Sequence, residues 1–581
     1  MRILHHLWIL SSPPLIGAGP LRESQNINSR STSNSSCRCL PGDACWPSAS
    51  AWAKLNDTVQ GRLIATVPLA SACHDPTYNE TECAYLKEQW DLPEIHFESP
   101  SSIMLPLFQN TSCIPFTPES LPCTLGNYAV YSINVSSAAD IAAGLKFAEE
   151  NNIRLVIKNT GHDFLGRSTG RGSLGLWTHN LKSIDFLDYR SEGYTGPAIR
   201  MGAGVQGIDA YRAAHARGFR VIGGDCPSVG LAGGYTQGGG HSLLSSTYGL
   251  AADQTLEWEL VTANGTHLVA SPTQNADLYW ALSGGGAGTY GVVVSLTSKI
   301  YRDGAVGGAN LTFSSAGIAP DTYWAVIDYW HSLLPGWVDR GAYLVYVVTE
   351  STFYLQVLTL PDASRATISA LLRPFHDRLA ASNITYAGNI TSFATYFEHY
   401  AFYIPPPYGP YTNNEVIGGR LIPRSLIETN NSALTSAVRR IVTTSSPAFT
   451  FNGLALNVNH SVAGTTPDTN AVLPGWRSAI LSAIVQGPWD EAAAFAANVA
   501  TENTLTDTVV PYLEAITPGA GTYMNEADVN LKTWKADFYG ANYDALLAVK
   551  RRYDVNDLFY APTAVGSDAW SVAGDGRLCR A

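Results

Sequence analysis

The chain has 581 residues, of which 45% are hydrophobic and only 14% charged, so it is long and apolar enough to build one or more cores, which excludes an intrinsically disordered protein. Its formal net charge of −12 is spread without long runs of one sign, which excludes nucleic-acid binding through a basic stripe. No stretch approaches the roughly 18 uninterrupted apolar residues of a membrane-spanning helix, so a membrane partner is not expected either.

The opening residues MRILHHLWILSSPPLIGAGP place one Arg and two His around a short apolar run that ends in small residues. This pattern of residues 1–20 predicts a secretory signal, although Pro13 and Pro14 interrupt it. Eleven Asn-x-Ser/Thr acceptors between Asn34 and Asn459 agree with a glycosylated, secreted protein. Cysteine placement agrees as well. Cys37, Cys39, Cys45, Cys73, Cys83, Cys113 and Cys123 crowd the first part of the chain, Cys226 stands alone, and Cys579 lies near the end. In an oxidising compartment the eight other than Cys226 can form four disulfides, with Cys579 tying the C-terminus back to the N-terminal segment. The competing zinc reading of Cys37-x-Cys39 and Cys45 lacks CxxC pairs and His partners, and no metal is expected.

Residues 21–125 are rich in Pro, Ser and Cys with little periodicity, and read as a stapled extension. The texture changes at Tyr128. Tyr128–Val135 has strand composition, Ala138–Glu150 has helical spacing and Arg154–Lys158 is a β-rich run, which predicts the strand–helix–strand opening of an α/β domain. Strand-like segments recur at Ala198–Met201, Phe219–Ile222, Leu256–Thr262 and Gly291–Ile300. Beyond Arg302, strands Ala342–Val348 and Thr352–Leu358 mix with a helix Asp362–Arg373, stopped by Pro374, and a helix Trp489–Thr501. This predicts a second domain with an antiparallel sheet, running to about Pro511. Asn542–Tyr553 carries a last helical pattern.

Two motifs match well-known fingerprints in letters only. Gly202-Ala203-Gly204-Val205-Gln206-Gly207 spells GxGxxG before a helical stretch, but it sits deep inside a domain already begun, and Asp225 runs straight into Cys226-Pro227. Gly166-Arg167-Ser168-Thr169-Gly170 spells the GxSxG of serine hydrolases, but no strand turns directly into a helix there. Chemistry concentrates elsewhere. Lys158-Asn159-Thr160-Gly161-His162-Asp163 follows a strand end with small and polar residues whose backbone N–H groups can cradle a pyrophosphate, with Lys158 and Arg167 to offset its charge. A second segment from Gly223 to His241 carries Cys226 and many glycines, and a third runs from Ser283 to Val293. Glycine at this density is tolerated where backbone lies against a flat ligand or takes positive φ.

The set NTGHDFLGRS, GGDCPSVGLAGGYTQGGGHS, YGLAADQ, LYWALSGGGAGTYGVVVS and the tail YMNEAD…FYGANYDALLAVKRRYDVNDLFY resembles the fungal branch of the berberine-bridge-enzyme-like FAD-linked oxidases, from about Leu125 to Trp570. The Cys-rich N-terminal segment is similar to the isoamyl-alcohol-oxidase-like subgroup. The resemblance implies an α+β chain of the vanillyl-alcohol-oxidase fold. Its FAD-binding domain of two α/β subdomains would comprise 126–302 and 512–570, a substrate-binding domain with an antiparallel sheet and helices would span 303–511, and 571–581 would be a tail. It implies a bicovalent FAD, bonded through His162 to the flavin 8α-methyl and through Cys226 to flavin C6. Around the cofactor it places Lys158, Asn159, Thr160, Gly161, Asp163, Val229, Gly233, Gly234, Gly238, Gly239, Gly240, His241 and Val293.

The resemblance also implies reaction with O2, since Val at the position of Val229 is associated in that family with oxygen-reactive members and Leu with dehydrogenases. The usual second Tyr after the Asn of the YxN motif is missing, since Tyr523-Met524-Asn525 runs into Glu526. The base is therefore Tyr523, Glu526 or a residue of the middle segment. That segment sets substrate choice, and its candidates His460, Tyr343, Tyr346 and Glu415 cannot be ranked by spacing. If YMNEAD is a strand, Tyr523 and Asn525 share one face and Glu526 points away; the resemblance turns the Tyr/Asn face toward the flavin, so Tyr523 is the favoured proton-accepting group. The expectation is a secreted, monomeric oxidase of an alcohol or secondary metabolite that returns electrons to O2. A dehydrogenative cyclase and a flavin-binding redox protein without turnover are the alternatives.

Overall fold

The computed structural model describes residues 37–404, 415–443 and 448–581; the expected signal segment and Asn34 lie outside them. Three main sheets organise the chain. The first has strands in the order Leu63–Ala65, Tyr131–Asn134, Ser173–Trp177, Arg154–Lys158, the last three parallel and Leu63–Ala65 antiparallel at the edge. Helix Ala138–Glu150 crosses between the parallel strands. Its Ile141, Leu145 and Ala148 meet Ile133, Leu155, Leu174 and Leu176 in one buried cluster, the interior that a parallel sheet covered by its crossover helix requires.

The second sheet is antiparallel, in the order Ile184–Arg190, Thr195–Gly202, Val292–Arg302, Thr255–Val261, His267–Ala270, with Phe219–Val221 also paired to Val292–Arg302. Gly202–Gly207, the GxGxxG look-alike, is the turn from strand Thr195–Gly202 into helix Gly207–His215. A Cβ on Gly204 would lie 1.8 Å from the carbonyl oxygen of His179. That glycine therefore serves close packing of backbone inside the domain.

The third sheet has seven antiparallel strands, in the order Ala387–Phe393, Val306–Ser314, Thr352–Pro361, Tyr343–Val348, Thr450–Ala455, Ala479–Pro488, Glu415–Pro423. Helices Pro320–Val338, Arg365–Ala381 and Arg424–Thr443 cover one face. Period-2 alternation sorts each strand between two cores. Leu344, Tyr346 and Val348 enter the helix-side core, whereas Tyr343 and Val345 join the core shared with the first part of the chain. In the same way Val416 and Val485 face the helices, and their neighbours Glu415, Ile417, Ile484 and Gln486 face a cleft.

Several elements differ from the sequence reading. Arg365–Ala381 is one helix that runs through Pro374; burial of Ile368, Leu371, Leu372, Phe375 and Leu379 outweighs the one lost N–H. Trp489 is buried ahead of a helix that begins at Phe495 and ends at Thr504. Residues 523–526 form a turn, with the Glu526 N–H donating to the Tyr523 carbonyl at 3.0 Å. The strand expected there is displaced because the tail lies across Gly419, where Thr522 Oγ1 donates to the Gly419 carbonyl and the Leu421 N–H to that of Gly521. The Cys-rich segment also contributes more than an extension, supplying helix Ala49–Thr58 and the edge strand Leu63–Ala65.

Four disulfides form, Cys37–Cys579, Cys39–Cys45, Cys73–Cys83 and Cys113–Cys123, and Cys226 is free. Cys37–Cys579 spans 542 residues, and closing so long a loop removes much freedom from the unfolded chain. The double variant Cys37→Ser/Cys579→Ser is expected to lose about 2–5 kcal/mol of unfolding free energy in denaturant titration under oxidising conditions. A loss well under about 1 kcal/mol would contradict this role.

Candidate active site

A cleft of about 500 Å3 opens between the two antiparallel sheets, a size suited to a small molecule or cofactor. Its walls come from the loop after strand Arg154–Lys158, the glycine-rich segment around Cys226, the turn at Ala287–Gly291, strands Glu415–Pro423 and Ala479–Pro488, and the tail turn at 523–526.

The loop is held by Asp163. Its carboxylate accepts from the Leu165, Arg167 and Ser168 N–H groups and from Ser168 Oγ, at 2.7–2.9 Å. These bonds occupy both Asp163 oxygens and also account for Ser168, whose hydroxyl donates to Asp163 and meets, among the described residues, no His base of the kind a hydrolase would require. Arg167 reaches across to the tail, donating to the Pro562 carbonyl and to Thr563 Oγ1. Gly161 takes φ +91°, which turns the chain so that Thr160 and His162 face the cleft.

Lys158 corrects the sequence reading. Its ammonium is buried behind the loop, where it donates to the carbonyls of His96 and Ser99 at 3.0 and 2.8 Å, and it does not line the cleft. Burial without a carboxylate pushes it down to about 7. Gly238, Gly239 and Gly240 also stand back from the cleft. A Cβ on Gly238 would come within 2.5 Å of Asn525 Nδ2, so this glycine admits a protein side chain, and Gly239 and Gly240 take positive φ in the turn behind it. Asn159, Thr160, Gly161, His162, Asp163, Cys226, Val229, Gly233, Gly234, His241 and Val293 do line the cleft.

His162 and Cys226 meet through Ser228, a residue that the sequence reading passed over. Ser228 Oγ is 2.8 Å from His162 Nε2 and 3.6 Å from Cys226 Sγ. Burial, with the Lys158 and His96 charges nearby, pushes His162 down to about 3, so its imidazole is neutral at any physiological pH. Burial pushes the Cys226 thiol up to about 12, with the Ser228 hydroxyl opposing, so it stays protonated.

On the opposite side three distant segments converge. Glu526 Oε1 is 2.8 Å from His241 Nε2, and His241 Nδ1 is 2.9 Å from the Tyr343 hydroxyl. Burial disfavours the charged imidazole, yet the Glu526 carboxylate outweighs it and raises His241. Glu526 thus lines the same cleft as Tyr523 and Asn525, contrary to the expectation that it points away, because 523–526 turn where a strand would alternate. Asn525 Nδ2 donates to the Gly234 carbonyl and to Tyr523 Oη, both at 2.8 Å. Burial, followed by the Glu526 charge, drives the Tyr523 phenol upward. Among the middle-segment candidates, Glu415 lines the cleft and accepts from Gln486 Nε2 at 2.6 Å, and burial raises it to about 7. Tyr346 lies in the helix-side core, and His460 pairs with Thr465 away from the cleft.

Residues 131–271 match a family model described as an FAD binding domain, and residues 522–566 match one described as berberine and berberine like. The chain is 50% identical over 548 residues to the FAD-linked oxidoreductase patO of Aspergillus clavatus, covering 94% of each. It is 46% identical over 561 residues to the bifunctional decalin synthase calF of Penicillium decumbens, covering 94% of this chain and 96% of calF. The crystal structure of the VAO-type flavoprotein MtVAO615 from Myceliophthora thermophila C1 matches with a TM-score of 0.90 at 46% identity, over 94% of this chain and 100% of that one. The chain therefore belongs to the VAO-type, berberine-bridge-enzyme-like family of FAD-linked oxidoreductases, enzymes whose substrates are small molecules.

The buried Lys158 makes stability depend on pH. Folded, it holds its proton only up to about 7, whereas an unfolded lysine holds it to about 10.4. Between these values the unfolded chain binds more protons, so stability rises with pH. The difference in urea-unfolding free energy between wild type and Lys158→Met should therefore move in favour of wild type between about pH 7 and about pH 9. A pH-independent difference would contradict the burial of this charge.

Proposed function

We propose that the protein is a secreted oxidase that carries FAD bonded to both His162 and Cys226, removes hydride from a carbon bearing a hydroxyl, and passes the electrons to O2. The observation that carries this reading is the meeting of a neutral His162 and an unpaired Cys226 at Ser228 on one wall of the cleft. The wall fits the cofactor on other grounds. The buried Asn159 Oδ1 on that wall has no partner among the described residues, and Gly230, where a Cβ would come within 2.3 Å of Asn159 Nδ2, lets the Asn159 side chain pack there. Bound FAD supplies the two-electron acceptor and the site at which O2 is reduced to H2O2.

The chain's own residues bind, orient and move one proton. His162 Nε2–H donating to Ser228 Oγ leaves the Nδ1 lone pair for attachment. Ser228 Oγ also lies 3.6 Å from Cys226 Sγ, within reach of the thiol proton. Asp163 keeps the loop in register beneath the cofactor, and Val229 and Val293 provide apolar wall. On the substrate side, Ile417 and Ile484 exclude water, Glu415 and Gln486 offer a hydrogen-bonding edge, and Glu526 accepts the hydroxyl proton as hydride leaves carbon. Glu526 is favoured over Tyr523 because its buried Oε2 lacks any donor among the described residues, whereas Tyr523 Oη already accepts from Asn525. Secretion is supported by the four disulfides and the N-terminal 20 residues, and no helix among the described residues is long and apolar enough to cross a membrane.

The name of calF favours a second reading, in which the same oxidation closes a ring. Product analysis separates the two: a carbonyl with equimolar H2O2 for simple oxidation, a new C–C or C–O bond for cyclisation.

Acid-precipitated protein should stay yellow, and protease digestion should yield one flavin linking the His162 and Cys226 peptides. Release of the flavin into the acid supernatant would refute the double bond. Cys226→Ala should keep one linkage, and His162→Ala should lose the greater part of the loading. With flavin bound, Glu526→Gln should slow anaerobic flavin reduction by about 10²–10⁴-fold and Tyr523→Phe by less; the reverse ranking would return the base to Tyr523. Val229→Leu should slow reoxidation in air while sparing flavin reduction, and equal slowing of both would mean general distortion of the site.

A further inference from the structure

Glu526, His241 and Tyr343 come from three parts of the chain, the tail turn, the end of the glycine-rich segment and the first residue of strand Tyr343–Val348 in the seven-stranded sheet. Period-2 alternation puts Tyr343 on the cleft-side face, and the tail's crossing at Gly419 puts Glu526 there as well. His241 lies between them, its two ring nitrogens 2.8 Å from Glu526 Oε1 and 2.9 Å from Tyr343 Oη.

We infer that these three residues form a relay in which Tyr343 sets the tautomer of His241, and His241 in turn holds Glu526 in place as the substrate base through a standing N–H donor. The inference rests on the assignment of Glu526 as that base. A Tyr343 O–H donated to Nδ1 leaves the ring proton on Nε2, so Glu526 Oε1 always meets a donor, and a carboxylate that accepts a hydrogen bond holds its charge. Oε2 is left buried and without a partner, a costly state that a substrate hydroxyl relieves. The proton of that hydroxyl moves to Glu526, and the O–H bonding pair becomes the second bond of the carbonyl. His241 is thus a positioning residue that does not itself touch the substrate proton.

The groups facing His241 agree with this role. Besides Glu526 they are the Asp225 carboxylate and the phenols of Tyr343, Tyr523 and Tyr235, and Glu526 itself lies within reach of the Glu415 carboxyl. The Tyr235 hydroxyl donates to the His241 backbone carbonyl at 2.7 Å and fixes the backbone from behind. The His241 ring also meets that of Tyr523 edge-on, with centroids 5.4 Å apart.

The test is the pH dependence of anaerobic flavin reduction in the flavin-loaded protein, with methanol, ethanol and benzyl alcohol screened first for a working donor. The readout is the acid limb of that rate, with each variant also measured in a Glu415→Gln background, because Glu415 lines the same cleft and is raised to about 7. His241→Leu should move this acid limb up by about one pH unit or more, Tyr343→Phe should move it the same way by less, and His241→Gln, whose amide can still donate to Glu526, should return it to within half of the leucine shift. A readout independent of turnover accompanies the rates. In infrared acid titration without donor, the protonated-carboxyl band absent from Glu526→Gln should appear at higher pH in His241→Leu than in wild type. Lowered thermal stability with unmoved limb and band would make the trio a structural latch and overturn the relay, and an unmoved Tyr343→Phe would overturn its three-member form. If Glu526→Gln itself reduces its flavin at the wild-type rate, it is the base assignment that fails.

Discussion

Close approach of glycine backbone to other backbone and to asparagine side chains is the constraint on which this structure depends. The cleft has walls from segments hundreds of residues apart, and they meet only where glycine removes a Cβ that would otherwise collide. Gly204 lies against the His179 carbonyl, Gly230 against the Asn159 amide, Gly238 against Asn525, and Gly419 so close to the Glu526 carbonyl that a Cβ would sit 2.1 Å away. Each contact fixes one segment relative to the next, and together they set where His162, Cys226, His241 and Glu526 stand. Glycine at these positions costs chain entropy on folding, and the disulfides, especially Cys37–Cys579, act on the same term from the unfolded side.

The electrostatics of the cleft follow from that packing. One wall is neutral, with His162 pushed down and Cys226 pushed up by burial, which leaves an uncharged imidazole and a thiol facing the cleft. The opposite wall has carboxyl groups of unlike environment, Glu526 paired with His241 and Glu415 raised to about 7 by burial, with Gln486 opposing and the Glu526 charge adding. The positive charge of Lys158 lies behind the first wall and contributes to keeping His162 neutral.

Local periodicity made much of the fold legible in the sequence. Helix Ala138–Glu150 and strand Arg154–Lys158 have the bounds that spacing predicts, because their apolar residues repeat at the period of the element they form. Cys226 was legible by elimination, since eight other cysteines pair. The family resemblance located the cleft that the motifs share. What stayed hidden depends on partners far along the chain. Glu415 and Tyr343 could not be ranked against Tyr346 and His460 until sheet pairing determined which face of each strand meets the cleft. Residues 523–526 have an alternating pattern that permits a strand, but contact with Gly419 bends them into a turn and brings Glu526 inward. Lys158 was misread because the carbonyls of His96 and Ser99, from the segment taken as a mere extension, draw its ammonium behind the loop.

The central claim is that the cleft between the two antiparallel sheets seats the flavin ring with His162 and Cys226 on one side and Glu526 on the other. A crystal structure of the purified yellow protein tests it most directly. Continuous electron density from His162 Nδ1 and from Cys226 Sγ to a single ring, with the Glu526 carboxylate facing the ring across the space left for substrate, is the predicted result. A ring seated elsewhere, or density that joins neither side chain, would contradict it.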